Sequence, residues 1–299
     1  MGTWASISSP HIEFFCYDPG GYLHKNNNMP NYSDTEPKPN KVIKQLATPL
    51  VKAKVALYVS CLVNSLRPNV GFDCIKLLES LDLEVFIPPD QTCCGQPAYN
   101  GGHRAQAIAV AKHQIAALSN YDYLVVPSGS CAGMFINHYP RLLADDPVWL
   151  KKAQALAGKT KELCQFLIEQ NWQATSTPSN HHMTLAYHTS CSCRRETQSH
   201  QHGEALLKQA GFTLSAMQDQ EVCCGFGGSF AAKFDSLSGR MGDNKLKCAE
   251  DSGASALVSA DLGCLLHLDT LKNNATTNMK FFHIAELLAD ACNDRGRRE

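Results

Sequence analysis

The stretch VCCGFGGSF, residues 222–230, sets two adjacent cysteines before a glycine-rich turn, and TCCGQPAYN, residues 92–100, sets another such pair before a second turn. Working outward, a lone cysteine flanks each pair on either side. Thirty-two positions separate Cys61 from Cys93, and the same number separates Cys191 from Cys223. Beyond the pairs, Cys131 follows Cys94 by 37 positions and Cys264 follows Cys224 by 40. Each half therefore offers Cys, Cys-Cys-Gly, Cys, with the first three cysteines repeating at an offset of 130. Spacing that recurs in this way marks a duplicated supersecondary unit rather than scattered core residues.

Neighbouring residues of a strand point to opposite faces, so two adjacent thiols can face one object only where the backbone leaves the extended conformation. Gly95 and Gly225 supply that freedom, because glycine adopts positive φ at little cost. A helix expected to begin near Gly102 would favour anionic sulfur at its N-terminus. Four thiolates per half is the number an iron–sulfur cluster takes. Three other readings stand beside it. Structural zinc also takes four thiolates, although its usual Cys-x2-Cys pairs are missing. A vicinal disulfide would leave Cys61, Cys131, Cys191 and Cys264 unexplained, and plain burial explains a repeated vicinal pair poorly.

Five apolar runs read as strands: KVALYVS (54–60), LEVFIPP (83–89), YLVVPS (123–128), MTLAYH (183–188) and ALVSAD (256–261). Between them lie helical patterns at 74–81, 103–118 and 149–170. The alternation predicts an α/β fold of two similar lobes with mostly parallel sheets. Ligands of such sheets sit beyond the carboxyl ends of strands, where Cys61, Cys131, Cys191 and Cys264 fall. The turn-rich segment 171–182 suggests a boundary, giving a first cysteine-rich domain over 53–172 and a second over 173–299. Residues 1–52, with HKNNNMPNYSDTEPKPNK, read as a disordered or non-native extension, with Met29 as an alternative start. Cys16 and His11 lie there and receive no role.

The chain has 299 residues, 44% of them hydrophobic, and a formal net charge of -1, which gives no reason to expect nucleic acid or an anionic membrane as partner. No run approaches a membrane span, and the first residues lack the basic-then-apolar pattern of a secretory leader, so none is expected. A cytoplasmic setting follows as an expectation. Fourteen cysteines in a reducing compartment point to metal or redox chemistry before disulfides.

The motifs SCLVNSLRPNVG, QTCCGQPAYNGG, PSGSCAGM, YHTSCSCRRE, EVCCGFGGSFAAKF and SADLGC, in that order from about Lys54 to Leu288, closely resemble the lactate-utilization protein A family, built from two cysteine-rich CCG domains. The same domain occurs in heterodisulfide reductases of the B type and in iron–sulfur subunits of glycolate oxidase and anaerobic glycerol-3-phosphate dehydrogenase. The resemblance implies one or two iron–sulfur clusters, of the [4Fe-4S] kind, held by Cys61, Cys93, Cys94 and Cys131 and by Cys191, Cys223, Cys224 and Cys264. It implies an oxidoreductase subunit carrying electrons during L-lactate oxidation, with a ferredoxin-type iron–sulfur subunit and a third small subunit as partners. Two departures stand out: Met134 and His267 occupy the positions where the heterodisulfide reductase pattern has a further cysteine, and no ferredoxin-type Cys-x2-Cys-x2-Cys run is present. The alternatives are a disulfide or thiol reductase component of the heterodisulfide reductase kind and a zinc-stabilised or redox-sensing module.

Gly225, Gly227 and Gly228 do not make a dinucleotide fingerprint and read as turn formers. Cys193 reads as a non-ligand, and Cys74, Cys164, Cys248 and Cys292 as helix-borne core residues. His188 and His267, each three positions from a framework cysteine, fit a structural role or a contact to cluster sulfur. Arg67, Arg194 and Arg195 read as surface charge, balance for an anionic cluster, or a carboxylate clamp. No catalytic base is assigned.

Overall fold

All five apolar runs become strands. The computed structural model describes residues 52–272 and 278–292, so the reading of residues 1–51, with Cys16 and His11, lies outside the described residues. In chain order the strands are β1 (Lys54–Leu57), β2 (Glu84–Phe86), β3 (Tyr123–Val126), β4 (Thr160–Glu162), β5 (Thr184–Tyr187), β6 (Thr213–Ser215), β7 (Ala256–Ser259) and β8 (Lys280–His283). They form two four-stranded sheets ordered β2-β1-β3-β4 and β6-β5-β7-β8, with every pairing parallel. The α/β class with two similar lobes is thus what the chain adopts. In both lobes the same three central-strand residues end the run buried: Val55, Ala56 and Leu57 in β1, and Leu185, Ala186 and Tyr187 in β5. Strands covered on both faces by helices need such continuous apolar stretches.

The duplication extends to single hydrogen bonds. The Tyr58 amide donates to the Val125 carbonyl at 2.9 Å, and the His188 amide to Val258 at 2.8 Å. The Gln91 side chain donates to the Leu57 carbonyl at 3.4 Å, and Gln220 to Tyr187 at 3.2 Å. Ser60 and Ser190 cap the helices that begin at Cys61 and Cys191, and their backbones share φ −62° and ψ 155°.

Two local expectations are corrected. The helical pattern at 149–170 is not one helix: it breaks into Pro147–Lys159 and Leu163–Glu169, with β4 between them. Thr160 takes extended geometry at ψ 130°, and Glu162 then caps the second helix by accepting the Cys164 amide at 2.9 Å and the Gln165 amide at 3.4 Å. Parallel pairing with β3 overrides the helical periodicity there. The helix placed near Gly102 is preceded by a shorter one, Gln96–Asn100, which starts directly after Gly95; the long helix begins at Arg104.

One apolar core joins the lobes, with Leu57, Leu77 and Phe166 of the first half in the same cluster as Leu185, Leu206 and Leu287 of the second. Helix packing across the junction is reciprocal. Helix Asn69–Glu79 meets Ile284–Asp290 while His200–Gln209 meets Leu163–Glu169, and Gly129–Gly133 meets Cys191–Arg195 while Cys61–Leu66 meets Leu262–Lys272. Arg67 belongs to this junction and is not a free clamp: it donates to Glu286 Oε1 at 3.1 Å and to the Phe281 carbonyl at 2.8 Å.

A tight approach falls at Gly129, where a Cβ would stand 2.4 Å from Cys193 Sγ and 2.9 Å from the Cys193 amide. Overpacking of this kind costs about 1–3 kcal/mol. Gly129→Ala is expected to lower the free energy of unfolding by that amount in a denaturant titration. Adding Cys193→Ala should recover part of the loss, since one of the two clashing atoms is then gone; equal losses in the single and double variants would show that the approach does not matter.

Candidate functional site

In each sheet the first strand lies between the second and the third, so the strand order reverses there, and α/β sheets bind ligands at the carboxyl ends beside such a reversal. The framework cysteines lie there. Cys61 opens the helix after β1, Cys93 and Cys94 lie in the loop after β2, and Cys131 sits in the helix Gly129–Gly133 after β3. Cys191, Cys223, Cys224 and Cys264 hold the matching places after β5, β6 and β7.

Thiol meets thiol along each set. Cys61 Sγ lies 3.9 Å from Cys93 Sγ. Donation by Cys61 and then by Cys94, with the Gly95 amide assisting, holds Cys93 far below the ordinary thiol range. Cys94 is pushed up by its hydrogen bonds to Cys131 and Cys93, and by burial. The second lobe repeats the order: Cys191 and Cys224 donate to Cys223, which drops, and Cys224 is in turn raised by Cys223 and Cys264. Cys264 is brought down to about 7, first by Cys224, against burial, and further by the nearby His188 ring. Sulfurs that share protons in this way are placed to give them up to a thiophilic cation, because ligands must be deprotonated to bind.

Glycine makes the vicinal geometry possible. Gly95 has φ 79° and Gly225 φ 94°. A Cβ on Gly225 would also strike the Ser238 carbonyl oxygen at 2.5 Å. The Gly225 amide points at Cys223 Sγ, 3.3 Å away. Depth is graded: Cys94, Cys131 and Cys224 are buried, Cys93, Cys191, Cys223 and Cys264 are half-buried, and Cys61 is exposed. The donor set suits a thiophilic metal or iron–sulfur centre, with the inner thiols shielded and one edge open to solvent.

The walls of the two sites differ. Around the first stand Tyr58, Phe135 and Tyr139 in edge-to-face contact; the Tyr58 hydroxyl donates to the Thr92 carbonyl at 2.7 Å and the Tyr139 hydroxyl to the Cys94 carbonyl at 2.9 Å. Around the second, His188 replaces Tyr58, and Ser238 donates to the Gly225 carbonyl at 2.9 Å while its oxygen also lies 3.3 Å from His267 Nε2. Cys193 turns to Asp261, its Sγ 3.7 Å from Oδ2. Cys74, Cys164 and Cys292 are buried in the core, and Cys248 packs against it half-buried. Arg194 contacts Thr189 and Glu221, and Arg195 is exposed.

Asp261 is the residue that sequence reading passed over. It is buried, and it ties the lobes together: Oδ1 accepts from Ser128 Oγ at 2.7 Å, Ser130 Oγ at 2.9 Å and the Ser130 amide at 3.2 Å, while Oδ2 accepts from Ser190 Oγ. Ser128 and Ser190 cap the helices that carry Cys131 and Cys191. The available signal was its place in the duplication, since Asp261 stands three residues before Cys264 as Ser128 does before Cys131. Glu162 and His283 also cap helices at this junction, and both are fully buried. The His283 Nε2 lies 3.2 Å from the Pro127 carbonyl and 3.1 Å from that of Ala260, one on each lobe.

The family model for the CCG cysteine-rich domain matches the chain twice, at residues 55–136 and 185–269. Lactate utilization protein A of Halalkalibacterium halodurans is 41% identical over 238 residues, covering 79% of this chain and 96% of that protein. The protein of the same name from Bacillus subtilis is 39% identical over 236 residues, covering 79% and 98%. Among solved structures, a hypothetical protein from Helicobacter pylori has a TM-score of 0.54 at 11% identity, a likeness of fold; it covers 82% of this chain, which spans only 50% of that one. No helix among the described residues is long and apolar enough to cross a membrane.

Burial raises the Glu162 carboxyl from its ordinary value near 4.5 to about 7, ahead of the opposing hydrogen bond from Ser199. A carboxyl raised on folding favours the native state while protonated, so this contribution is full below pH about 4.5 and is lost as pH rises to about 7. The span of the shift corresponds to roughly 3 kcal/mol. Glu162→Gln should therefore flatten the dependence of unfolding free energy on pH over this window, measured by denaturant titration at pH 5 and pH 8. An unchanged slope would mean that Glu162 stays ionised in the fold.

Proposed function

Because the chain belongs to the lactate utilization protein A family and carries two CCG cysteine-rich domains, we propose that it is the iron–sulfur electron-transfer component of a complex oxidising L-lactate to pyruvate. The observation that carries the reading is the twofold convergence of four thiols at the carboxyl ends of parallel strands. Cys61, Cys93, Cys94 and Cys131 would hold one [4Fe-4S] cluster, and Cys191, Cys223, Cys224 and Cys264 the other. A bound cluster supplies storage for one electron at a time. The chain's part is to place the thiols, to keep water from Cys94 and Cys224, and to leave an edge at Cys61 and Cys191 through which a redox partner can approach. A ferredoxin-type iron–sulfur subunit and a third small subunit are the proposed partners, and the cytoplasm, where thiols stay reduced, the proposed setting.

A second reading has one observation in its favour. Four thiolates about 2.3 Å from one tetrahedral ion stand about 3.8 Å apart, and the Cys61 to Cys93 separation is 3.9 Å. Each lobe would then hold a single thiophilic ion such as zinc.

Anaerobic purification with iron, sulfide and zinc analysis separates the two. Two four-iron clusters give about eight iron and eight sulfide per chain, and Cys94→Ser is expected to remove about half of each. Zinc without sulfide supports the second reading and overturns the first. In a strain deleted for the gene, growth on L-lactate should fail and return with the wild-type chain but not with Cys94→Ser; unimpaired growth of the deletion strain would sink the lactate assignment.

A further inference from the structure

We propose that His188 is a nitrogen ligand of the second centre, so that the duplicated sites are chemically unequal: the first holds its metal by thiolates alone, the second by thiolates and one imidazole. The inference rests on the reading that each lobe binds a thiophilic metal or cluster.

Three observations carry it. A ring nitrogen of His188 and the sulfurs of Cys224 and Cys264 all lie within 4.8 Å of one another, the only such group of histidine, cysteine and acidic donors among the described residues. Donors bound at about 2.0–2.3 Å to one metal fall within such a separation. His188 is 1% exposed, its ring faces the Cys264 thiol, and neither Nδ1 nor Nε2 has a hydrogen-bond partner of ordinary geometry. A buried imidazole without well-formed hydrogen bonds is costly, and ligation of a metal removes that cost.

The first lobe supplies the control. Tyr58 occupies the equivalent place at the end of β1, with the same backbone bond to the neighbouring strand. Its hydroxyl is already committed to the Thr92 carbonyl at 2.7 Å. His267 is not an equal candidate, because its Nε2 faces the Ser238 hydroxyl. The backbone frame is thus shared by both lobes, and the imidazole is added to one.

The test uses the full chain purified anaerobically from cells fed 15N-histidine, beside an unlabelled sample. Pulsed electron paramagnetic resonance on the Cys94→Ser variant, where only the second site is complete, is expected to show the strong nitrogen coupling of a bound imidazole, changing from 14N to 15N with the label. Cys224→Ser, which leaves only the first site complete, should show none. His188→Ala in the Cys94→Ser background should lose the coupling, while His267→Ala should keep it. If the second site is loaded but shows no bound nitrogen, or the coupling survives His188→Ala, the inference fails alone. Should the metal be zinc, X-ray absorption at the zinc edge replaces resonance, and a shell of sulfur only at the second site overturns the proposal. Absence of metal from both sites overturns the underlying reading, and this one with it. The isotope comparison needs no change at His188, so it decides the matter even where His188→Ala fails to fold.

Discussion

The buried carboxyl group of Asp261 is the interaction on which the arrangement of both sites depends. It lies between the lobes and gathers hydroxyl donors from Ser128, Ser130 and Ser190. A serine hydroxyl has one proton and two lone pairs, and two of these hydroxyls are used twice over. Ser128 and Ser190 accept the amides of Cys131 and Cys193, capping their helices, while their own protons go to Asp261. The group that starts each helix is therefore the group that fixes the helix against the other lobe. Cys131 of one site and Cys191 of the other are carried by these two helices, so one side chain sets the spacing of both.

How far this was legible in the sequence depends on the range of the interactions. The vicinal cysteines and Gly95 and Gly225 were readable because positive φ after two adjacent ligands is a local demand. The central strands were readable because burial on both faces demands unbroken apolar residues. Of the edge strands, β2 was read but β4, β6 and β8 escaped. TKE in β4 and TLS in β6 are three residues long and largely polar, and TKE sits within a helical periodicity. Their identity comes from pairing with β3 and β5, which no local window contains. Asp261 escaped for the same reason: its partners lie 68 to 133 positions away. Comparing the two copies position by position, rather than cysteine by cysteine, was the route to it, because a carboxylate stands where the other copy has a capping serine.

That comparison also shows what duplication preserved and what it changed. Strand order, capping geometry and the glycine turns are common to both lobes. Side chains that touch the sulfurs are not. Beside the first set the walls are phenolic and aromatic, with the amide of Gln114 donating to Thr92 and to the Cys93 carbonyl. Beside the second set stand His188 and the buried Lys245, whose ammonium donates to the carbonyls of Asp219 and Gln220. Burial lowers the pKa of Lys245, while the neighbouring Cys248 and Cys224 oppose that shift.

Positive charge and hydrogen-bond donors near cluster sulfur raise a reduction potential. On the electron-transfer proposal, the second lobe is then the more oxidising of two centres held in one shared core. The junction through Asp261 holds the two cysteine sets in one frame, and on that proposal the walls would set their potentials apart. A duplicated fold with identical walls would give two equivalent stations and no preferred direction between them. On the same proposal, divergence at Tyr58 and His188 and at Met134 and His267 would supply a direction without disturbing the frame that places the thiols.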